Sequence, residues 1–483
     1  MSESNQPKRI LLGHLSAKGD CLYATAVARQ IKADYPSCVL TWGIGSMCRE
    51  ILRGNPYVDQ VWEFPMQNHG EMSQAWKAFE AEVAKRYLQG DFDEVFLTQI
   101  SPGNFQNYDG TVRLSIFRAY PSPITLPIAP VINLLPEEVK TVSQFSELNR
   151  LAERANVILF ECASNSGQSF VTPDYALEVA RDLVLKLPDI SVILASAIAV
   201  DSGDERIISS DVLSFRDHAE LSKYCDILVG CSSGISWLCT SDWAKPLPTI
   251  QLLLGSTSVY ASMVHDFEYW GQPTDRIIEM TDCSVSKLVD CIHLALTQGI
   301  AEARLCYHQK IELEFTFYLS HIRSILLESG QYEKVFLTML NTIKRYGWQP
   351  QLEEFMLSEI LPKLQKSIQD DWLKSIELRQ YKERLDQANQ RIAELQKSIQ
   401  DDWLKSIELR QYKERLDQAN QRIAELQKSI QDDWLKSIEL RQYKERLDQA
   451  NQRIANIETS KFWKIRTAWF RFKRMIGLPI DEE

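Results

Sequence analysis

Short apolar blocks, each followed by a polar loop and then by apolar residues at helix spacing, run through the first 300 residues of the chain. Residues 10–12 form an apolar run fit for a buried strand. Residues 13–19 are a loop of small and polar side chains, and 21–31 place Leu22, Ala26, Ala28 and Ile31 at helix spacing before Pro36. Strand, loop and helix make the opening unit of a doubly wound α/β domain. Further strands are expected at 39–42 and 92–97. The Pro-rich stretch 120–130 breaks the pattern, and a domain boundary is expected within 136–155. A second series begins at Asn156, with a strand at 157–160 and a small-residue loop at 161–168. A helix opens on Pro173 with Ala176, Val179, Ala180 and Leu183 on one face. Strands at 191–194, 227–229 and 250–254 follow, with a short helix at 217–225. Strands alternating with helices imply parallel sheets. Residues 313–327 and 335–343 read as a helical appendage.

From residue 364 the period changes. A 31-residue unit, LQKSIQDDWLKSIELRQYKERLDQANQRIAE, occurs three times, from Leu364, Leu395 and Leu426, and the copies differ only by Asn456 in place of the last Glu. In the first copy Leu378, Tyr381, Leu385, Ala388 and Ile392 lead to Leu395 in alternating steps of three and four, which is a heptad seam. Thirty-one is four heptads plus three, so every copy carries a phase break. The repeats contain no Gly or Pro, and each complete unit holds six basic and six acidic residues. They predict a helix of about 140 Å, at about 1.5 Å per residue. The apolar seam favours a self-associating coiled coil over a single solvated helix. The tail, SKFWKIRTAWFRFKRMIGL, carries six Lys or Arg and no acid between Lys461 and Arg474. A basic, aromatic helix of this kind has the composition of an interfacial membrane segment. Lys461, Trp463, Lys464, Trp469, Arg471 and Lys473 are the expected membrane contacts, through anionic headgroups. Packing onto the protein itself or onto a partner helix is the alternative.

Composition narrows the function classes. Of the net charge of −11, residues 1–363 supply 30 basic and 44 acidic side chains, and the remaining 120 residues 24 and 21. The globular part is acidic, which argues against bulk nucleic-acid binding. The ten cysteines form no CxxC pair, so a zinc site is not expected. The polar N-terminus has no apolar signal core, and no stretch of about 18 apolar residues exists. A reducing cytoplasm fits best.

Asp20 lies where the first loop enters its helix, facing the crevice at which doubly wound sheets bind ligands. An Asp there can equally be a helix cap. The loop with its Gly19-Asp20, followed by Arg53-Gly54-Asn55-Pro56-Tyr57-Val58-Asp59, resembles the opening of glycosyltransferase family 9, the heptosyltransferase-like proteins of GT-B fold. The resemblance covers about residues 8–300. It implies two Rossmann-like domains: 1–145 for the acceptor and 146–300 for the nucleotide-sugar donor. A helical appendage (301–363), the coiled coil (364–456) and the basic tail (457–483) follow. By the resemblance Asp20 is the catalytic base, with Lys18 and Gly19 beside it on the acceptor loop. The segment Gly230-Cys231-Ser232-Ser233-Gly234-Ile235-Ser236-Trp237 is similar to the family's diphosphate motif, Asp-(Ser/Thr)-Gly-x-x-His. Ser233 and Gly234 match it, whereas Ser232 and Trp237 stand where the family has Asp and His. Ser164, Ser166, Gly167 and Gln168 in the loop after the second domain's first strand, together with Ser232, Ser233, Gly234, Ser236 and Thr257, are the implied donor contacts. Asp217 and Glu220 are candidates for a ribose.

Gly43-Ile44-Gly45 lacks a third glycine, so it is no dinucleotide fingerprint. No DxD motif ends a strand, and no metal or cofactor is expected beyond the nucleotide-diphosphate sugar as substrate. The implied activity is sugar transfer to a glycan or glycolipid acceptor in bacterial-type surface polysaccharide or lipopolysaccharide biosynthesis. The setting is cytoplasmic, peripheral at the inner face of the plasma membrane. A catalytically silent GT-B scaffold and a nucleotide-sugar epimerase are the rivals.

Overall fold

The structure is a computed structural model that describes residues 7–164, 167–257, 261–324, 330–402 and 416–425. The chain divides into two units, Met1–Asp370 and Asp371–Glu483. The first is α/β with two parallel sheets, an arrangement consistent with a two-domain GT-B fold. In the first sheet β1 (Arg9–Gly13), β2 (Val39–Gly45), β3 (Gln60–Phe64) and β4 (Glu94–Leu97) run in the order β3-β2-β1-β4. In the second, β5 (Asn156–Glu161), β6 (Ile190–Ala195), β7 (Ile207–Ser209), β8 (Ile227–Gly230), β9 (Thr249–Leu252) and β10 (Ile277–Met280) run in the order β10-β9-β8-β5-β6-β7.

The central strands read as unbroken apolar runs because helices cover both faces. Ile10 and Leu12 face one core, whereas Leu11 packs on the other face with Trp76 and Phe79 of the helix Met72–Leu88. That helix lets its Phe79 ring approach the sheet where there is no side chain. A Cβ on Gly43 would lie 2.5 Å from the ring, and one on Gly13 would lie 2.8 Å from it. Gly43 is therefore a packing residue. In the second sheet Ile158 and Phe160 face one core and Val157 and Leu159 the other.

Sequence periodicity missed β3, β7, β10 and the helix Met72–Leu88. The strand expected at 92–97 starts later, at Glu94. The expected 217–225 helix is a five-residue helix, Asp217–Leu221, followed by a 3-10 turn.

The appendage ties both lobes together. Its helices Thr316–Ile322 and Tyr332–Tyr346 bury Tyr318, Ile322, Val335 and Met339 in one core with residues of the first lobe and with Trp237, Leu238 and Met263 of the second. Thr338 Oγ1 donates to the Phe105 carbonyl (3.2 Å) and Asn341 Nδ2 to the Gln106 carbonyl (3.1 Å) in the first lobe. Arg345 donates to the His265 carbonyl (2.8 Å) in the second. Arg216 makes a further link. Fully buried, it forms a bidentate pair with Glu138 at 2.8 and 2.9 Å and donates to the carbonyls of Glu50 and Asn133.

The helix Leu361–Asp402 begins in the first unit and continues through the first repeat, and residues 416–425 are helical. The rest of the second and third repeats, and the tail with Lys461, Trp463, Lys464, Trp469, Arg471 and Lys473, lie outside the described residues. Among the described residues no helix is long and apolar enough to cross a membrane.

Candidate active site

The strand order reverses between β1 and β4 in the first lobe and between β5 and β8 in the second, and ligands of doubly wound sheets bind at such reversals. In the first lobe the loop after β1 is clamped by Gln99, which follows β4. The backbone N–H groups of Leu15 and Ser16 donate to Gln99 Oε1, both at 3.0 Å, and Gln99 Nε2 donates to the Ser16 carbonyl at 2.5 Å. His14 lies beside it, fully buried, with Nδ1 3.0 Å from Thr98 Oγ1. Burial lowers its pKa to about 3, so the ring is neutral.

The clamped loop feeds the helix Lys18–Asp34, whose N-cap is Ala17. Asp20 is thus inside the first turn rather than the capping residue. Its carboxyl makes no hydrogen bond or ion pair with the described residues, and burial pushes its pKa up from 3.8 to about 7. A carboxylate poised near neutrality at a sheet reversal has the properties of a general base. Lys18 is held by Glu50 at 2.5 Å and lies 5.0 Å from the centre of the Phe215 ring of the second lobe. Gly19 has open space where a Cβ would stand.

The second lobe differs from the sequence expectation. The turn after β8 was expected to offer its N–H groups and hydroxyls to a diphosphate. Four of them are taken by Glu161, the last residue of β5 and only 2 % exposed. Its carboxylate accepts from the N–H groups of Cys231 (3.0 Å), Ser233 (3.4 Å) and Ile235 (2.8 Å), and from Ser236 Oγ at 2.5 Å. The Ser233 N–H and the Ser236 hydroxyl are therefore partnered within the protein. Ser232 is also engaged on every side. Its N–H donates to Gln251 Oε1 (2.7 Å) and its hydroxyl to the Ala261 carbonyl (2.5 Å), and its carbonyl accepts from Gln168 Nε2 (2.9 Å) and Trp237 Nε1 (3.3 Å). These bonds hold a non-glycine residue at φ 52°, in the left-handed region. Gly234 clears the Phe215 ring, which a Cβ would approach to 2.9 Å.

The remaining donor candidates are less occupied. The buried Ser164 hydroxyl and Gln168 Oε1 have no hydrogen-bond partner among the described residues, and Gly167 turns the loop at φ +70°. Ser166 and the side chain of Thr257 lie outside the described residues. The two ribose candidates serve their own lobe. Asp217 accepts from the Ser214 N–H (2.7 Å), and Glu220 accepts from Lys223 (2.7 Å) and Trp243 Nε1 (2.6 Å).

Between the lobes Trp237 packs edge-on to Tyr23, ring centres 5.1 Å apart, and lies 6.5 Å from Phe267. Arg113 stacks 4.8 Å from the Tyr23 ring and 5.4 Å from Trp237, and pairs with the buried Asp266 at 3.3 Å. Burial raises the Asp266 pKa and Arg113 opposes it. Sequence reasoning missed Gln99, Arg113, Glu161 and Asp266. Only Glu161 carried a signal, as a carboxylate closing an otherwise apolar strand.

No family model matches the chain, and no curated protein matches it. Solved structures similar to it include family 9 heptosyltransferases, other GT-B glycosyltransferases and a putative UDP-N-acetylglucosamine 2-epimerase from Listeria monocytogenes. One is a glycosyl transferase family 9 protein from Veillonella parvula, with 12 % identity over 68 % of this chain and 100 % of that one, TM-score 0.42. Another is the E. coli ADP-heptose lipopolysaccharide heptosyltransferase II, with 16 % identity over 60 % and 99 % of the two chains, TM-score 0.41. A third is MurG of Acinetobacter baumannii, with 15 % identity over 63 % and 97 %, TM-score 0.35.

Proposed function

We propose that the chain is a metal-independent glycosyltransferase. It moves a sugar from a nucleotide-diphosphate sugar to a glycan or glycolipid acceptor in surface polysaccharide or lipopolysaccharide biosynthesis, at the inner face of the plasma membrane. The observation that carries the reading is the place of Asp20 at the reversal of the first sheet, where its carboxyl has no partner among the described residues and burial raises its pKa to about 7. In the reaction Asp20 takes the proton of the acceptor hydroxyl as that oxygen bonds to the anomeric carbon, and the bond from that carbon to the diphosphate oxygen breaks. The diphosphate is met by Ser164, the Gly167 turn and the 255–257 turn, because Glu161 holds three N–H groups and the Ser236 hydroxyl of the 231–236 segment. The repeats join copies of the chain, and the tail rests on the membrane surface.

The position of Glu161, with Trp237 in place of the family's His, favours a second reading: a silent GT-B module carried by its coiled coil. Thermal denaturation of the full chain with a panel of ADP-, UDP-, GDP-, CMP- and dTDP-sugars separates the two. A donor at about 100 times its dissociation constant adds roughly 2.7 kcal/mol. The Asp20→Asn chain should keep that shift and lose transfer. A panel without any shift supports the silent module instead.

A further inference from the structure

We propose that Lys18 of the first lobe supplies the positive charge that meets the departing diphosphate. The inference rests on the proposed transfer reaction and adds to it a residue and a role.

A diphosphate gathers negative charge as its bond to the sugar breaks, and a site meets that charge with a cation or with fixed dipoles. The second lobe is short of both. The segments 162–168, 231–238 and 253–257, which follow β5, β8 and β9, contain no Lys, Arg or His. Three of the N–H groups that could act as dipoles after β8 already donate to Glu161. Two buried arginines join the lobes, and neither is free to serve. Arg216 is bound bidentately to Glu138. Arg113 is 2 % exposed, pairs with Asp266 and packs against the Tyr23 and Trp237 rings. Turning either guanidinium toward a ligand would leave a buried carboxylate without it.

Lys18 is placed differently. It is the first residue of the helix Lys18–Asp34, two positions before Asp20. Its Nζ lies 5.0 Å from the centre of the Phe215 ring. The same ring packs against Gly234, where a Cβ would come within 2.9 Å of it. Phe215 is thus the common neighbour of the Lys18 head and of the turn after β8. Lys18 is paired with Glu50 at 2.5 Å, and the two side chains are 39 % and 30 % exposed. A pair this open to water contributes little, so Lys18 can exchange Glu50 for a phosphate oxygen at small cost. Gly19 leaves open space where a Cβ would stand, so a ligand can lie against the backbone beside Lys18. The helix presents the positive end of its dipole at the same place.

In the reaction the acceptor oxygen bonds to the anomeric carbon and gives its proton to Asp20. The bond from that carbon to the diphosphate oxygen breaks, and its electron pair stays on that oxygen. Lys18 Nζ donates to the diphosphate as this charge grows. One helix start then serves both the entering and the leaving oxygen.

The test is isothermal titration calorimetry of the full chain with ADP, UDP, GDP, CDP and dTDP, and with the uncharged nucleoside of each. For a diphosphate that the wild type binds, Lys18→Met should weaken binding by about 10–100-fold and leave the nucleoside affinity unchanged. Lys18→Arg should restore most of the loss. Glu50→Gln separates charge from architecture. A Lys18–Glu50 pair that only braced the loop would make this variant bind as weakly as Lys18→Met, whereas a freed Lys18 should bind the diphosphate at least as tightly as in the wild type. A Lys18→Met chain that binds the diphosphate like the wild type overturns the role of Lys18 while donor binding stands. So does one that loses diphosphate and nucleoside alike, or a Glu50→Gln chain as weak as Lys18→Met. A wild type that binds none of the diphosphates overturns the transferase reading itself, and this role with it.

Discussion

Asp20 shapes stability and chemistry in opposite directions. Its carboxyl is raised from 3.8 to about 7, so the folded chain keeps a proton over a range where the unfolded chain has lost it. Stability contributed at this position is therefore full below about pH 4 and declines as pH rises toward 7. The Asp20→Asn chain should melt above the wild type at pH 8, with the gap closing toward pH 4. If Asp20 is the base, wild-type transfer should rise through about pH 7, and the variant should lose about 10²–10⁴-fold in kcat. A pH–rate profile run beside thermal melts reads both. Glu161 shows the reverse case, a carboxylate on which the fold depends. Glu161→Ala removes the acceptor of three backbone N–H groups and leaves the Ser236 hydroxyl only its longer bond to Gln251. At about 1–3 kcal/mol for a stranded buried group, a loss of at least about 3 kcal/mol is expected in urea denaturation. Asp20 was legible because a local pattern, a small-residue loop entering a helix, places it. Glu161 was not, since nothing near it in the chain shows that its carboxylate turns toward β8, 66 residues later by the numbering of Glu161 and Ile227.

At the scale of elements, the central strands were legible as apolar runs because burial on both faces removes polar alternation. Edge strands lack that signature. Residues of β3 are exposed or partly exposed throughout, and β7 has three residues. The helix Met72–Leu88 buries only Met72, Ala75, Trp76, Phe79 and Val83, on one stripe of a mostly polar segment. Its importance lies in Phe79 filling the space above two glycines. Gly43→Ala should cost about 1–3 kcal/mol through forced repacking. Combining it with Phe79→Leu should recover part of that loss, since the two sites share one contact. A double-mutant cycle by chemical denaturation would show no coupling if the glycine served only the backbone.

At the scale of the whole molecule, the doubly wound character followed from the alternation of strands and helices, whereas the joining of the lobes could not be read. It depends on contacts between residues far apart in the chain. Arg216 reaches Glu138 and two carbonyls of the first lobe, and Arg113 reaches Asp266 of the second. Arg216→Met removes the bidentate partner of a buried pair and leaves the Glu138 carboxylate with only Arg53 at 3.6 Å and the Leu135 N–H at 2.8 Å. A cost of up to about 3–5 kcal/mol is expected. Equilibrium unfolding that matches the wild type would show the pair to be dispensable.

The core that joins the lobes to the appendage sets how the protein comes apart. Two Rossmann-like lobes linked only by a hinge would each absorb heat at their own temperature. Here Val335, Met339 and Phe315 share one apolar cluster with Ile10 on one side and Trp237 on the other. Neither lobe can lose its packing without uncovering the other's. Differential scanning calorimetry should therefore show the lobes melting in a single endotherm, with calorimetric and van't Hoff enthalpies in agreement. Two resolved endotherms from the 1–370 unit would mean that the cluster is a contact between finished domains rather than part of either.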